Sequence, residues 1–310
     1  MNSASHRHLL RFTARAAGRG SAFSLIEVMS AVAMLAVIII GLVAMFGQVR
    51  RAFTTSQTQA DYLDAGRAAA DIIGRDIEQA IPSYFSNAPN FYTDVSLGYT
   101  PLIQTLPNGV DKFTNILNEF YFLTRYNRSW NGVGYRVVLA DSSRMVGTLY
   151  RYYAPNIYIA QTNTASTPAT PLTLDLRSQP AIFTNFYAMD PTASTNRIID
   201  GVVDLRIRLF DPNGVQLAYI PPVVTNVPRN TLLATNSLTG DVMYSLFTSN
   251  ALPATVEVEL GVLESRTYQN YLAVTNNAAA AQAFLQNHSA QVHIFRQRIP
   301  LRNVDTSAYP

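Results

Sequence analysis

The chain carries few side chains able to do covalent or metal chemistry, and their spacing sets most of them aside. It has no cysteine and 4 histidines among 310 residues. His288 and His293 stand in the body of the chain without the spacing of a zinc site, and each reads as a surface or strand residue. Asp200, Asp204 and Asp211 have the oxygen chemistry to hold a cation. However, Asp200 and Asp204 fall in an alternating strand pattern and Asp211 opens a turn, so the expectation is solvent-facing charges and a turn residue. Gly132-Val133-Gly134 lacks the following helix and acidic residue that a dinucleotide site needs. No catalytic, cofactor-binding or metal residue is therefore expected, and the chain reads as a non-enzyme without cofactors. The exception is Glu27, alone at the mouth of the uncharged run Val28 to Phe46. That run is close to the ~20 residues that cross a bilayer as a helix. A carboxylate at membrane centre costs roughly 2.5–3.5 kcal/mol, so an acid in this position needs a partner.

The charge distribution gives the run an orientation. Residues 1–22 contain Arg7, Arg11, Arg15 and Arg19 and no acid; removing these 4 from the 23 basic groups leaves 19 against 20 acidic, a net charge of −1. Basic residues beside a span favour the cytoplasmic side, which places the N-terminus inside and the rest of the chain outside. Arg50 and Arg51 oppose this, two charges against four. A near-neutral domain lacks the phosphate-neutralising surface of a nucleic-acid binder. The lack of cysteine is uninformative, because a domain of this size buries enough surface without disulfides. Neither internal repeats nor a second span appears.

Phe23-Ser24-Leu25-Ile26-Glu27-Val28, with a basic stretch before it and the apolar run after it, resembles the N-terminal signature of type IV prepilins and type II secretion pseudopilins. The resemblance implies that a prepilin peptidase and N-methyltransferase cuts between Ala22 and Phe23, methylates Phe23 and leaves Glu27 as the fifth mature residue. Ala22 stands where the family usually has Gly, with Gly20 two positions earlier. An ordinary secretory signal has a shorter apolar core, ~7–15 residues, ending in a small-residue cleavage site; here the run continues into Gly47-Gln48-Val49-Arg50-Arg51. A generic signal anchor fits the length but predicts nothing about Glu27.

The elements that must position this motif follow from periodicity. Val49, Phe53, Ala60, Leu63, Ala70, Ile73 and Ile77 share one helical face, so the helix is expected to continue past the membrane and pack its second half on a sheet. Asp71 and Arg75 form a candidate i,i+4 pair. Gly66 and Gly74 each cost about 1 kcal/mol relative to Ala, and Pro82 stops the helix. The expected organisation is a leader over 1–22, a long helix over 23–81 that spans the membrane to about 46, and a β-rich domain over 82–310.

Strand patterns occupy that domain. Ile116 to Arg125, Gly134 to Ala140 and Met145 to Tyr153 are candidates, the last two around the turn Asp141-Ser142-Ser143. In Arg197 to Phe210, Val203, Leu205, Ile207 and Leu209 alternate with Asp204, Arg206 and Arg208. Asp211-Pro212-Asn213-Gly214 turns into a candidate strand over Val215 to Ile220. Ala254 to Leu263 and Val292 to Leu301 complete the set. Residues 162–173 and 221–240 read as loops, and Tyr268 to Asn287 as a helical insertion. The fold class is α+β, with a long membrane-spanning helix packed on a mostly antiparallel sheet, an arrangement that also resembles pilins.

The blocks Leu149 to Tyr153, Ile199 to Asp211, Leu252 to Val258 and Phe295 to Asn303 resemble a J-type minor pseudopilin. That implies a subunit initiating or capping the pseudopilus of a type II secretion system. Its partners would be other minor and major pseudopilins and the inner-membrane assembly platform, its membrane segment would cross once, and its C-terminal domain would be periplasmic. In the family, a carboxylate placed like Glu27 pairs with the N-terminal amine of a neighbouring subunit. The alternatives are a minor pilin or adhesin of a type IV pilus, then a single-pass membrane-anchored binding protein or enzyme.

Overall fold

Leu25–Ile77 form one helix, α1, of 53 residues, about 80 Å at ~1.5 Å per residue. The computed structural model describes residues 24–309 apart from 86–87, 96–98, 100, 106–109, 111, 128, 141–143, 158–195, 219–222, 225–226, 229 and 237–240. The proposed leader, Ala22 and Phe23, the Asp141-Ser142-Ser143 turn and the 162–173 segment lie outside the described residues. The chain divides into two compact units, one ending at Ser56 and the other beginning at Gln57. In the first unit residues 24–54 and Ser56 are exposed, including Leu25, Ile40 and Phe46. This is the one described helix long and apolar enough to cross a membrane.

The second unit contains the rest of α1 and the strands β1 (Pro89–Val95), β2 (Ile103–Thr105), β3 (Lys112–Thr114), β4 (Asn118–Tyr126), β5 (Ser129–Val138), β6 (Gly147–Ile157) and β7 (Arg197–Phe210). It continues with β8 (Val223–Val224), β9 (Val227–Pro228), β10 (Thr231–Thr235), β11 (Val242–Thr248) and β12 (Thr255–Leu263). Helices α2 (Ser265–Val274) and α3 (Ala278–Asn287) then lead to β13 (Val292–Pro300). Nine strands make one antiparallel sheet in the order β10-β11-β1-β4-β5-β6-β7-β12-β13; β2-β3 and β8-β9 are separate hairpins. The α+β class and the antiparallel sheet expected from sequence are both present. The sheet curls until the start of β4 meets the middle of β7 through a parallel bridge, Leu117 to Leu205. Asn118 strengthens that junction: its Oδ1 accepts from Ile207 N at 3.0 Å and its Nδ2 donates to Val242 O at 3.0 Å.

The apolar face of α1 buries Ala69, Ile73 and Ile77 in a core with Phe120, Phe122, Tyr135, Leu205, Ile207, Val258 and Ile299. The predicted seam is only half used. Val49 and Phe53 are exposed, Ala60 is exposed, and Leu63 and Ala70 are half-buried, because the sheet meets the helix only from Tyr62 onward. The two glycines read as helix costs have a packing reason. A Cβ on Gly66 would lie 2.2 Å from Cε2 of Phe295, and one on Gly74 2.9 Å from Nε2 of Gln297. Both β13 side chains cross the helix where it has no side chain of its own. The helix ends at Ile77, after which Ala80 bridges to Thr124 and Ile81 N donates to Leu123 O, so the chain enters the sheet just before Pro82. Asp71 and Arg75 do not appear among the ion pairs of the described residues; the helix's own pair is Arg67 with Asp64 at 3.9 Å.

Several strand expectations change. Of the segment after the 211–214 turn, residues 219–220 lie outside the described ones, and the described part makes a single bridge, Phe210 to Gln216, rather than a strand. The turn itself forms: Asp211 Oδ1 accepts from Asn213 N and Val215 N, and Gly214 takes φ +79°. The segment read as a loop over 221–240 contains β10 and the small β8-β9 hairpin. β1 and β11 have no alternation to betray them, because their residues are buried on both faces. The helical insertion is two helices, whose Tyr271, Ala281 and Leu285 pack with Leu102, Met145 and Val203.

Candidate functional site

Ser24, Leu25, Ile26, Glu27 and Val28 lie at the start of α1, all exposed. Ser24 N and Oγ each donate to Glu27 Oε2 at 3.4 Å, and Glu27 N donates to Ser24 Oγ at 3.3 Å. This is a long-bonded capping box, in which a serine and a glutamate three residues on satisfy each other's backbone N–H. Its signal in the sequence is Ser-x-x-Glu before an apolar run. Glu27 thus has a local role at a helix N-terminus, where negative charge is favoured. No other side chain engages its carboxylate among the described residues.

A second acid on α1 is held differently. Asp76 follows Ile73 by three and faces the sheet; its Oδ2 accepts from Tyr135 Oη at 2.5 Å and Arg151 Nε at 2.6 Å. Burial, then the Asp76 hydrogen bond, pushes the Tyr135 phenol well above its ordinary range. The Asp76 bond raises the Arg151 guanidinium despite its partial burial. The sequence reading missed Asp76; its signal is an acid on the buried helical face.

The largest departure from expectation lies on the opposite face of the sheet. Asp204, read as a solvent-facing member of an alternating strand, is buried, and so are Arg206, Glu257 and Glu259. Glu257 stands between Arg208 of β7 and Arg298 of β13 in register, and Glu259 between Arg206 and Arg296. Arg208 Nη1 lies 2.8 Å from Glu257 Oε1 and 3.1 Å from Glu259 Oε2. Arg298 Nε is 2.6 Å from Glu257 and Arg296 Nη2 2.5 Å from Glu259. Arg206 turns away to Asp204 at 2.8 Å and Asp241 at 2.7 Å, donates to Thr114 O at 2.5 Å, and stacks on Phe113 at 4.3 Å. The β2-β3 hairpin that supplies Phe113 and Thr114 excludes water from this end.

Four acids and four arginines therefore compensate one another. Charges removed from water survive only when paired and hydrogen-bonded. Burial pushes Asp204 up to about 6, against the pull of Arg206 and the Ile116 N–H. Burial also acts on Glu257, but the Arg298 and Arg208 hydrogen bonds outweigh it and hold that carboxyl below its usual range.

The structure does not bring the three candidate cation ligands together. Asp200 accepts from Thr148 Oγ1 at 2.7 Å and pairs with Arg197, Asp204 belongs to the buried network, and Asp211 closes its turn. His288 caps α3, its ring stacked on Phe284 at 4.0 Å. His293 lies on β13, and Gly132 and Gly134 lie inside β5.

Two cavities flank β13. One of about 110 Å³ is lined by Phe113, Asp204, Gly261, Leu285, Val292 and Ile294 among others. Another of about 510 Å³ lies on the α1 side, with Leu63, Arg67, Asp71, His293, Ile294 and Gln297 in its walls.

These features define the class that can be stated: a chain with one N-terminal candidate membrane helix and an α+β domain built on a nine-stranded antiparallel sheet. No family model, no curated protein and no solved structure matches this chain.

Proposed function

We propose that the protein is a minor pilin-like subunit of a type II secretion pseudopilus, processed between Ala22 and Phe23 and helping to initiate or cap the filament. The observation that carries this reading is the sequence Phe23 to Val28 at the head of an apolar stretch of helix that continues into a half buried on an antiparallel sheet. A secreted enzyme needs no such helix, and a plain anchor gives Glu27 no task beyond capping.

After cleavage, Phe23 carries the cationic N-terminus and Glu27 lies about one turn, ~6 Å, along the helix. The amine of a neighbouring subunit then supplies the charge partner that a carboxylate in lipid requires. The apolar halves bundle in the membrane and filament, and the β-domain is displayed on the periplasmic side of the inner membrane. Other pseudopilins, the assembly platform and the peptidase are the partners of this reading. A minor pilin or adhesin of a type IV pilus uses the same motif and is the second reading.

The test is intact-mass and N-terminal peptide analysis of the membrane-extracted protein, with and without active prepilin peptidase. A peptidase-dependent product beginning at N-methylated Phe23 is expected, and an uncut chain, or one cut after Phe46, overturns the reading. Glu27→Ala is expected to leave insertion intact and to impair co-purification with filament subunits. Recovery of the other minor pseudopilins at low abundance separates the secretion reading from the pilus reading.

A further inference from the structure

β13 ends the nine-stranded sheet, and its outer edge is open among the described residues. Leu301 N donates to Ala254 O, and Glu264 N to Gln291 O. With the antiparallel register of β12 and β13, alternation of bonded pairs turns the odd-numbered residues of β13 toward β12. The even-numbered backbone of Ile294, Arg296 and Arg298 therefore points outward. The Val292 N–H is used by Ser289 O, and Pro300 has no N–H. Three consecutive outward positions remain, bounded at both ends.

The charges across this edge follow a rule. Along one row β7, β12 and β13 present Arg208, Glu257 and Arg298, and along the next Arg206, Glu259 and Arg296. Sign alternates from strand to strand, and the series ends on two arginines whose side chains are 63% and 56% exposed. A further strand in register meets Arg296 and Arg298 with acids, because opposite charges directly across strands attract and like charges repel. Beside them Ile294 is 58% exposed and lines both cavities. A strand residue opposite Ile294 directs its side chain to the mouth of the 110 Å³ cavity, whose Leu285 and Val292 suit an aliphatic group.

We propose that the β13 edge is a docking site for an extended segment of another protein chain, added as a tenth strand, with the pattern aliphatic-x-acid-x-acid opposite Ile294, Arg296 and Arg298. Main-chain bonds supply affinity and the alternate side chains supply selection, as in other strand-addition complexes. The same arginines turn away a basic strand and discourage indiscriminate edge pairing. The site belongs to the β-domain and does not depend on processing at Phe23.

The test uses the full chain in detergent micelles and two fluorescent peptides, Thr-Val-Thr-Glu-Thr-Glu-Thr and its reverse, which cover both strand directions. Controls carry Lys in place of Glu. The expected result is that one acidic peptide binds at least tenfold more tightly than its Lys counterpart and slows amide exchange over residues 292–298. Ile294→Pro, which removes an outward N–H without touching the ladder to β12, abolishes that binding with the melting temperature kept. Equal binding of acidic and basic peptides, binding that leaves exchange over 292–298 unchanged, or no binding by either acidic peptide overturns the proposal.

Discussion

Glu27 and Asp76 are acids on the same helix in opposite circumstances. Glu27 is exposed among exposed apolar neighbours, and among the described residues its carboxylate engages only Ser24 of its own first turn. Asp76 is held by Tyr135 and Arg151 from two strands. The contrast extends to their surroundings: Ile38, Ile39 and Ile40 are exposed, whereas Ile73 and Ile77 are fully buried. An acid whose partners are inside the fold reports on stability. An acid whose only partner is its own helix cap leaves its remaining capacity for something outside the chain.

The strongest way to break this comparison is Asp76→Ala, which leaves Arg151 without its ion partner and Tyr135 without an acceptor. A loss of about 3 kcal/mol, the low end for a broken buried pair because Arg151 is partly exposed, should appear in denaturant unfolding of the β-domain. Glu27→Ala should change that unfolding by less than about 0.5 kcal/mol. Equal losses from the two substitutions would erase the distinction.

Ile73→Ala should cost about 2–4 kcal/mol through lost burial and a residual cavity, while Ile39→Ala leaves the domain transition in place. Gly66→Ala sets the closeness of Phe295 against helix propensity. Overpacking costs about 1–3 kcal/mol and the helix recovers about 1, so a net loss of up to about 2 is expected, and it should vanish in a Phe295→Ala background. Gly47, where an added Cβ would meet nothing within 4 Å, should accept Ala without loss to the domain. Persistence of the Gly66→Ala penalty without Phe295 would refute the packing explanation.

The gentlest effect is a pH slope confined to the packed unit. Asp204 has a folded value of about 6, above its ordinary 3.8, so between those values the folded state binds more protons than the unfolded one. Stability then falls as pH rises from about 4 to 6, by at most about 1.4 kcal/mol per pH unit from this group. Asp204→Asn, which keeps an acceptor for Ile116 N, should flatten that slope; Asp94, also raised by burial, keeps its share. Glu257, held low by its arginines, works in the other sense, and its contribution is lost as pH falls below its ordinary carboxylate range. An unchanged slope in Asp204→Asn over pH 4–6 would remove Asp204 as its source.

Periodicity made β7 legible, since Val203, Leu205, Ile207 and Leu209 alternate with Asp204, Arg206 and Arg208 inside the segment Arg197 to Phe210, and a strand forms over those same residues. It also assigned the wrong environment to Asp204, which is buried. Alternation identifies two faces but does not say what covers the second, and here the β2-β3 hairpin, Asp241 and the neighbouring strands bury the charges. β1 and β11 stayed hidden for the converse reason, because strands buried on both faces do not alternate. Gly66 and Gly74 could be read only as costs until Phe295 and Gln297 were placed against them.

The sequence by itself determined the apolar run, the lone acid at its mouth, the continuation into an amphipathic helix and the antiparallel α+β class. These depend on local composition and on periods of 3.6 and 2, which a linear chain displays. Tertiary structure alone decided that Asp76 clamps α1, that the alternating arginines and glutamates form one ladder, and that the ladder ends on two arginines at an edge left open among the described residues. Each of those depends on residues far apart in the chain meeting across a curled sheet, where strand order and register, rather than neighbours in sequence, choose the partners.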